Sequence, residues 1–317
     1  MVKIVIAGGS SEVGQEVIDA LVATGKHEII SLWRKEPDVI TNGVNTVVVD
    51  YGNKDQLEDI LQGAHTVLSF VGGPNVDVQK NIIDACIAAG VKRFAPSEWA
   101  TSDITTVPWY AGKGVIREYL QEVNKDKKVL EYTLFQPGGF LNYLASPQKT
   151  TKHLTPIGLH IDFQNARALV IDGHLDDPLT FTAVQDLGAA VARAVEFEGE
   201  WPVVGGISGN QISIREVLQL GEKILGNPFE VEHIPVAALE AGVPGTSWLP
   251  GLDHPSLRSV PEEQKAAVAN QFWSAYLLST TKGAWTVSDE WNRLLPDLQF
   301  IGAEEFLTQW WGGKRGD

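Results

Sequence analysis

A chain of 317 residues with 44% hydrophobic and 21% charged side chains has the make-up of an ordinary globular protein, and no run approaches the roughly 18 apolar residues of a membrane-spanning helix. The formal charge is −15, with 14 Lys and Arg against 18 Asp and Glu in residues 1–150 and 11 against 22 in residues 151–317, so no basic face is expected to meet nucleic acid. Cys86 is the only cysteine, which forbids an internal disulfide or a cysteine-rich zinc site.

The length suits a nucleotide-binding domain with a smaller partner lobe. Met1 leads straight into "VKIVIAGG" without a signal-like segment, and a cytoplasmic protein is expected. In chain order, "KIVIAG", "HEIISLW", "TVVVD", "TVLSFVGG" and "RFAPSE" read as strands. They alternate with the helical patterns "VGQEVIDALVAT", "DQLEDILQG" and "VQKNIIDACIAAG". Such alternation gives α/β architecture with a doubly wound parallel sheet of the Rossmann kind. Cys86 occupies an apolar helical position and reads as core filler. The helix "KGVIREYLQEVNK" precedes another strand, "EYTLFQPGGF", and from about Ser146 the alternation weakens.

Residues 1–146 are therefore expected to form the dinucleotide-binding domain and residues 147–317 mainly a substrate-binding lobe, with a helix near 183–197 packing back on the first domain. That helix is expected to be capped near Thr182, with Asp186 stabilising its first turn. "SIREVLQLGEKILG" carries Ser213 and Glu216 as a capping box, and two further helices, "PEEQKAAVANQFWSAYLLST" and "GAEEFLTQWW", complete the tail.

"IAGGSSEVG" follows the first strand and opens the first helix, where backbone N–H groups and the positive helix end meet a pyrophosphate. Gly8, Gly9, Ser10, Ser11, Val13 and Gly14 are the candidate cradle. Gly8, Ser11 and Gly14 fall in a G-x-x-G-x-x-G frame whose middle glycine is replaced, so the Ser11 Cβ crowds the phosphates while its hydroxyl could donate to them. Arg34 and Lys35 end the second strand where NAD enzymes place an acid, and a guanidinium there suits the 2′-phosphate of NADP(H). Order along the sheet puts Asp50 near the adenine and Phe70, Val71 and Gly72 beside the nicotinamide ribose.

"WYAGKGVIRE" holds Lys113 as a candidate for proton exchange. A short-chain dehydrogenase has a tyrosine four residues before such a lysine; here that position is Trp109, and Tyr110 stands one place late. Tyr110 is a second candidate donor, although helical phase turns it about 100° from its neighbours. Of ten tryptophans, six lie in the C-terminal third. Most read as packing, and Trp248, in the loop "GVPGTSWLPGLDHP", reads as a pocket lid. His153, His160, His174 and His254 are further proton-donor candidates, with no metal-binding spacing among them.

"GGSSEVG", "WRK", "KRFAPSEW", "KGVIRE" and "EYTLFQPGGFLNYL" fall in an order and spacing similar to isoflavone reductase-like and NmrA-like proteins, the atypical short-chain dehydrogenases. The tail "FLTQWW" resembles fungal members. The resemblance implies that Pro96, Ser97 and Glu98 end a strand beside the site, that Lys113 and Arg117 match the family's lysine and arginine, and that Phe140 follows the Tyr132–Thr133 strand next to cofactor and substrate. It further implies that the dehydrogenase tyrosine is dispensable. Gly138 stands where the reductases often have asparagine, on the substrate side. The expected function is an NADPH-dependent reductase of a hydrophobic, aromatic or polycyclic small molecule of secondary metabolism. A non-catalytic dinucleotide sensor of the NmrA type and a redox-neutral isomerase or cyclase are the alternatives. A homodimer is possible but not indicated.

Overall fold

In the structure, a computed structural model that describes residues 1–37, 41–73, 76–251 and 261–313, the alternating first half folds as β1 (Lys3–Ala7), α1 (Glu12–Thr24), β2 (Glu28–Trp33), β3 (Val44–Val48), α2 (Lys54–Leu61), β4 (Thr66–Ser69), α3 (Val76–Ala88), β5 (Arg93–Ala95), α4 (Ala111–Val123) and β6 (Glu131–Tyr132). The strands form a six-stranded sheet in the order β3-β2-β1-β4-β5-β6, parallel throughout. Successive residues of a strand face opposite sides, and β1 shows the result. Val5 packs with Leu57 of α2, Ile83 and Cys86 of α3 and Leu120 of α4. Ile4 and Ile6 pack on the other face with Val17 and Leu21 of α1. Strand order reverses between β1 and β4, and the crevice at their carboxyl ends is where an open α/β sheet takes its ligand.

The remainder comprises β7 (Leu134–Gln136), β8 (Gly139–Phe140), β9 (Ile161–Asp162), β10 (Arg167–Ile171), β11 (Pro178–Thr182), α5 (Val184–Glu196), β12 (Val204–Gly206), β13 (Asn210–Ser213), α6 (Ile214–Leu225), β14 (Glu230–Ile234), α7 (Val236–Glu240), α8 (Glu262–Thr281), α9 (Glu290–Leu294) and α10 (Ala303–Trp311). "EYTLFQPGGF", expected as one strand, is split among three sheets: β6 closes the large sheet, β7 pairs with β12, and β8 pairs with β11. Pro137 has no N–H to continue a ladder. Gly138, at φ +72°, turns the chain so tightly that a Cβ there would stand 2.4 Å from the Thr180 carbonyl oxygen.

A second core gathers β10, β11, α6, α8 and α10 around Phe163, Leu169, Trp273 and Phe306. The sequence does not pass once from lobe to lobe near residue 146. Leu187 and Val191 of α5, then Trp201, then Trp291 of α9 all lie in the core of α1 and the large sheet. Thr182 is not the cap of α5. Its hydroxyl donates to the Ile207 carbonyl and accepts from the Gly209 N–H, and Asn142 Oδ1 instead accepts the Val184 N–H at 2.8 Å. The Ser213–Glu216 capping box forms on α6 as expected.

Candidate active site

The turn between β1 and α1 is shaped by what glycine lacks. Gly8 sits at φ +75°, and a Cβ on it would stand 2.9 Å from the Phe70 backbone; one on Gly9 would lie 1.9 Å from Ser31 Oγ. Gly8 N–H donates to the Tyr51 hydroxyl at 2.7 Å, which in turn donates to the Leu32 carbonyl, so the ends of β2 and β3 are tied to the turn. Burial pushes the Tyr51 phenol up to about 12, against the pull of the Gly8 N–H and Arg34. Ser11 caps α1: its Oγ accepts the Gly14 N–H at 3.0 Å. The oxygen expected to serve phosphates thus first serves the helix, and only its hydrogen remains to donate. Among the described residues the N–H groups of Ser10, Glu12 and Val13 have no acceptor, which leaves three backbone donors at a positive helix end. Arg34 and Lys35 stand exposed just past β2 with no hydrogen bond or ion pair among the described residues. Free donors and two free cations are the donor set that a 2′-phosphorylated dinucleotide requires.

Asp50 lies exposed after β3. Its Oδ1 accepts the Gly52 N–H at 2.8 Å, closing the turn into α2. Phe70 is buried beside Gly8 and stacks on Trp99 with centroids 4.3 Å apart. Val71 and Gly72 follow it out of β4, with Gly72 exposed. Trp99 adopts φ +44°, a region unfavourable for a bulky residue. An indole N–H bond to the Ser69 carbonyl and stacking between Phe70 and Phe135 hold it there.

The Pro96–Ser97–Glu98 turn, Lys113 and Arg117 converge. Lys113 Nζ donates to the carbonyls of Ser97 and Glu98, each at 2.6 Å, and lies 4.8 Å from the Tyr110 ring centroid. Arg117 grips the buried Glu98 carboxylate through two nitrogens, at 2.7 and 3.2 Å, and donates to the Ser102 carbonyl. Burial pulls the Lys113 ammonium down to about 8; Glu98 opposes this and Arg117 adds to it. Gln79, nine-tenths buried, accepts the Ser97 N–H at 3.0 Å and so fixes the turn whose carbonyls hold Lys113.

Tyr110 is not turned away. It belongs to a short 3-10 turn, Pro108–Tyr110, ahead of α4, so α-helical phase does not govern it. Burial pushes its phenol up to about 12, so it keeps its proton. Tyr143 feels both Tyr110 and Glu12 of α1, and Phe140 meets it edge-on at 5.6 Å. From the second lobe, Phe272 of α8 stacks on Trp109 at 4.4 Å. Tyr276, one turn further along α8, feels Tyr110 and is raised mainly by burial.

Other expected residues fall elsewhere. Gly138 contributes tight packing and no side chain. Trp248 lies with its ring 4.1 Å from the Arg167 guanidinium, which Asp162 holds in turn; none of its described contacts reaches Lys113 or Tyr110. The second half of its loop, including His254, lies outside the described residues. His153 is tied to Asp19 and His174 to Asp177, while His160 is 3% exposed. Among the described residues no group of His, Cys, Asp and Glu could hold a metal ion, and no helix is long and apolar enough to cross a membrane. Sequence reasoning missed Tyr51, Trp99, Tyr143, Phe272 and Tyr276. Tyr51 directly follows Asp50, and Phe272 and Tyr276 are four apart on one helix face, which are the signals available in hindsight.

Residues 2–267 match the model of the NmrA-like family. The oxidoreductase BOA1 of Botryotinia fuckeliana (strain B05.10) is 32% identical over 241 residues, which span 72% of this chain and 78% of that one. Among solved structures, an isoflavone reductase superposes with a TM-score of 0.71 at 18% identity over 97% of this chain and 98% of its own. AtPrR2 with NADP+ and (+)pinoresinol does so with a TM-score of 0.70 at 16% identity, covering 98% of each chain. At such identity the superpositions establish a shared fold.

Proposed function

The chain belongs to the NmrA-like family, and on that premise we propose that it is an NADPH-dependent reductase of a hydrophobic, aromatic or polycyclic small molecule. The observation that carries this reading is Lys113: a half-buried ammonium, fixed by two carbonyls, with its affinity for the proton lowered to about 8 at the end of β5. A dinucleotide sensor has no need for a proton donor poised near neutrality, whereas a reductase does.

The N–H groups of Ser10, Glu12 and Val13 would hold the pyrophosphate, and Arg34 and Lys35 the 2′-phosphate. NADPH, when bound, supplies the hydride. Two of the three Lys113 N–H bonds are spent on carbonyls, and the third is left to donate toward a substrate oxygen or a ribose hydroxyl. The protonated Tyr110 phenol, beside it, offers a second donor. The stacked rings of Trp109 and Phe272 would supply an apolar surface beside these donors, suited to a flat ring. NADPH absorbance followed together with product analysis tests the reading. Cofactor consumed in step with product supports a reductase, product without consumption means a redox-neutral enzyme, and binding without either means a sensor.

A further inference from the structure

Glu98 meets α4 at two places. Its backbone carbonyl accepts from Lys113 Nζ at 2.6 Å, and its carboxylate accepts from Arg117 at 2.7 and 3.2 Å. Lys113 and Arg117 stand four residues apart, one above the other on the same face of the helix, where two cations repel. An acidic residue with an oxygen for each of them lies across that face. The Glu98 side chain is 2% exposed, and a carboxylate so far from water needs a cation and hydrogen bonds in place of its hydration. Among the described residues Arg117 alone supplies both.

The clamp is fixed from both sides. Trp99, the next residue, is held at φ +44° by its indole bond to the Ser69 carbonyl and by its stack between Phe70 and Phe135, so the Glu98 backbone has little freedom. Arg117 also donates to the Ser102 carbonyl at 3.1 Å. The Ser102 N–H and hydroxyl in turn donate to the carbonyls of Ala284 and Thr286, in the segment joining α8 to α9. Lys113 is thus connected, through Glu98, Arg117 and Ser102, to a part of the chain far away in sequence.

The same pair sets the charge that Lys113 meets. Burial lowers the affinity of Lys113 for its proton, Glu98 opposes that and Arg117 adds to it. These two are the charged groups that bear on it among the described residues. The 3-10 turn beside it contributes the Tyr110 phenol, and Tyr143 and, from α8, Tyr276 lie within reach of Tyr110; burial raises all three, so they keep their protons. We propose that Glu98 and Arg117 are positioning residues for Lys113, Glu98 clamping α4 at both cations and Arg117 offsetting the charge of its carboxylate. The proposal rests on the reading of Lys113 as the proton donor of the reductase described above.

The test labels the lysine ε carbons of the full-length, cofactor-free chain with a heavy isotope and follows the Lys113 resonance by NMR as pH is raised, its assignment fixed by its absence in Lys113→Met. The parent is expected to titrate at about 8. Glu98→Gln keeps the shape and the backbone carbonyl and removes the negative charge, so its titration is expected about one pH unit lower, the scale of a neighbouring charge. Adding Arg117→Gln to Glu98→Gln removes the opposing charge as well, and the titration is expected to return at least halfway to the parent's. A pair that only held the fold together would not behave so, since losing both partners would be no better than losing one. An unmoved or raised titration in Glu98→Gln, or a double variant no closer to the parent than the single one, overturns the proposal. If thermal melting shows that Glu98→Gln does not fold, Arg117→Gln is read on its own and is expected to titrate about one pH unit above the parent; no upward shift there, or failure of both variants to fold, overturns the proposal too. The titration needs no turnover, so the expected shifts in a protein that never consumes NADPH leave the pair assigned and overturn the reductase reading alone. A parent that titrates in the ordinary lysine range also overturns that reading, and the pair is still judged by the differences between variants.

Discussion

The two ends of the cleft are built by different means. At the nucleotide end, seven consecutive residues from Gly8 to Gly14 set the geometry. What matters there is backbone: a positive φ at Gly8, absent Cβ atoms at Gly8 and Gly9, and three free N–H groups. At the other end, Tyr110, Tyr143 and Tyr276 come from three separate stretches of chain, and what matters is the side chain each one presents. The first end is local chemistry on a shared frame. The second exists only once α8 has docked, so it can change by substitution without disturbing the first.

The sharpest break between the ends is at Lys113, which belongs to both. Lys113→Met keeps length and removes the charge, and turnover is expected to fall by about a hundredfold or more, the scale of a lost general acid. In the unaltered enzyme the ammonium persists below its lowered value and is lost above it, so kcat is expected to decline as pH rises through about 8. A profile flat to pH 10 would place the proton elsewhere, with Tyr110 the first alternative.

Next in size is a change confined to the nucleotide end. Replacing Arg34 and Lys35 together with alanine is expected to reduce NADPH affinity on the order of a hundredfold and leave NADH affinity unchanged, each charged contact contributing about 1.5–3 kcal/mol. If substrate KM moved as much as cofactor affinity, the two ends would not be separable. Gln79→Leu deprives the Ser97 N–H of its acceptor and is expected to lower kcat about tenfold with little change in NADPH affinity. Gln79→Glu, which keeps the acceptor, should recover most of that loss.

The smallest effect expected lies outside both ends. Burial raises Asp186 to about 6, against the stabilising Ile301 N–H at 2.8 Å, and Glu305 adds to the rise. A carboxyl whose folded value lies above its unfolded value near 4 favours the folded state at low pH, and that contribution is lost as pH rises through about 4 to 6. Asp186→Asn keeps the acceptor without the charge. Its Tm is expected to exceed the parent's by a few degrees above pH 7 and to converge with it as pH approaches 4. A lower Tm for Asp186→Asn at neutral pH would refute the assignment.

Much of the frame was legible because it obeys local rules. The apolar run "KIVIA" bounded by the glycine turn read as a strand, and the turn announced itself through its spacing. "EYTLFQPGGF" misled because its apolar residues satisfy three different sheets in succession, which no local pattern separates. Tyr110 was read on helical phase, yet a proline two residues earlier starts a tighter turn. The cap of α5 was sought next to the helix, where Thr182 stands, but came from Asn142, forty residues away in the sequence and adjacent only in the fold. Trp248 drew notice as an aromatic in a proline- and glycine-flanked loop, whereas Phe272, which stacks on Trp109 ahead of Lys113, looks in sequence like an ordinary core position of a helix.

The repeated return of the chain to the first core limits how such a protein can diversify. Phe135 stacks at 5.3 Å on Trp99 and at 5.6 Å on Trp291, so an aromatic column runs from the cofactor turn to the C-terminal segment. The second half of the chain, cut out and grafted as a cassette, would take α5, Trp201 and Trp291 with it and leave the parallel sheet bare on one face. Substitutions made in place along α8 and the strands behind it leave that column intact.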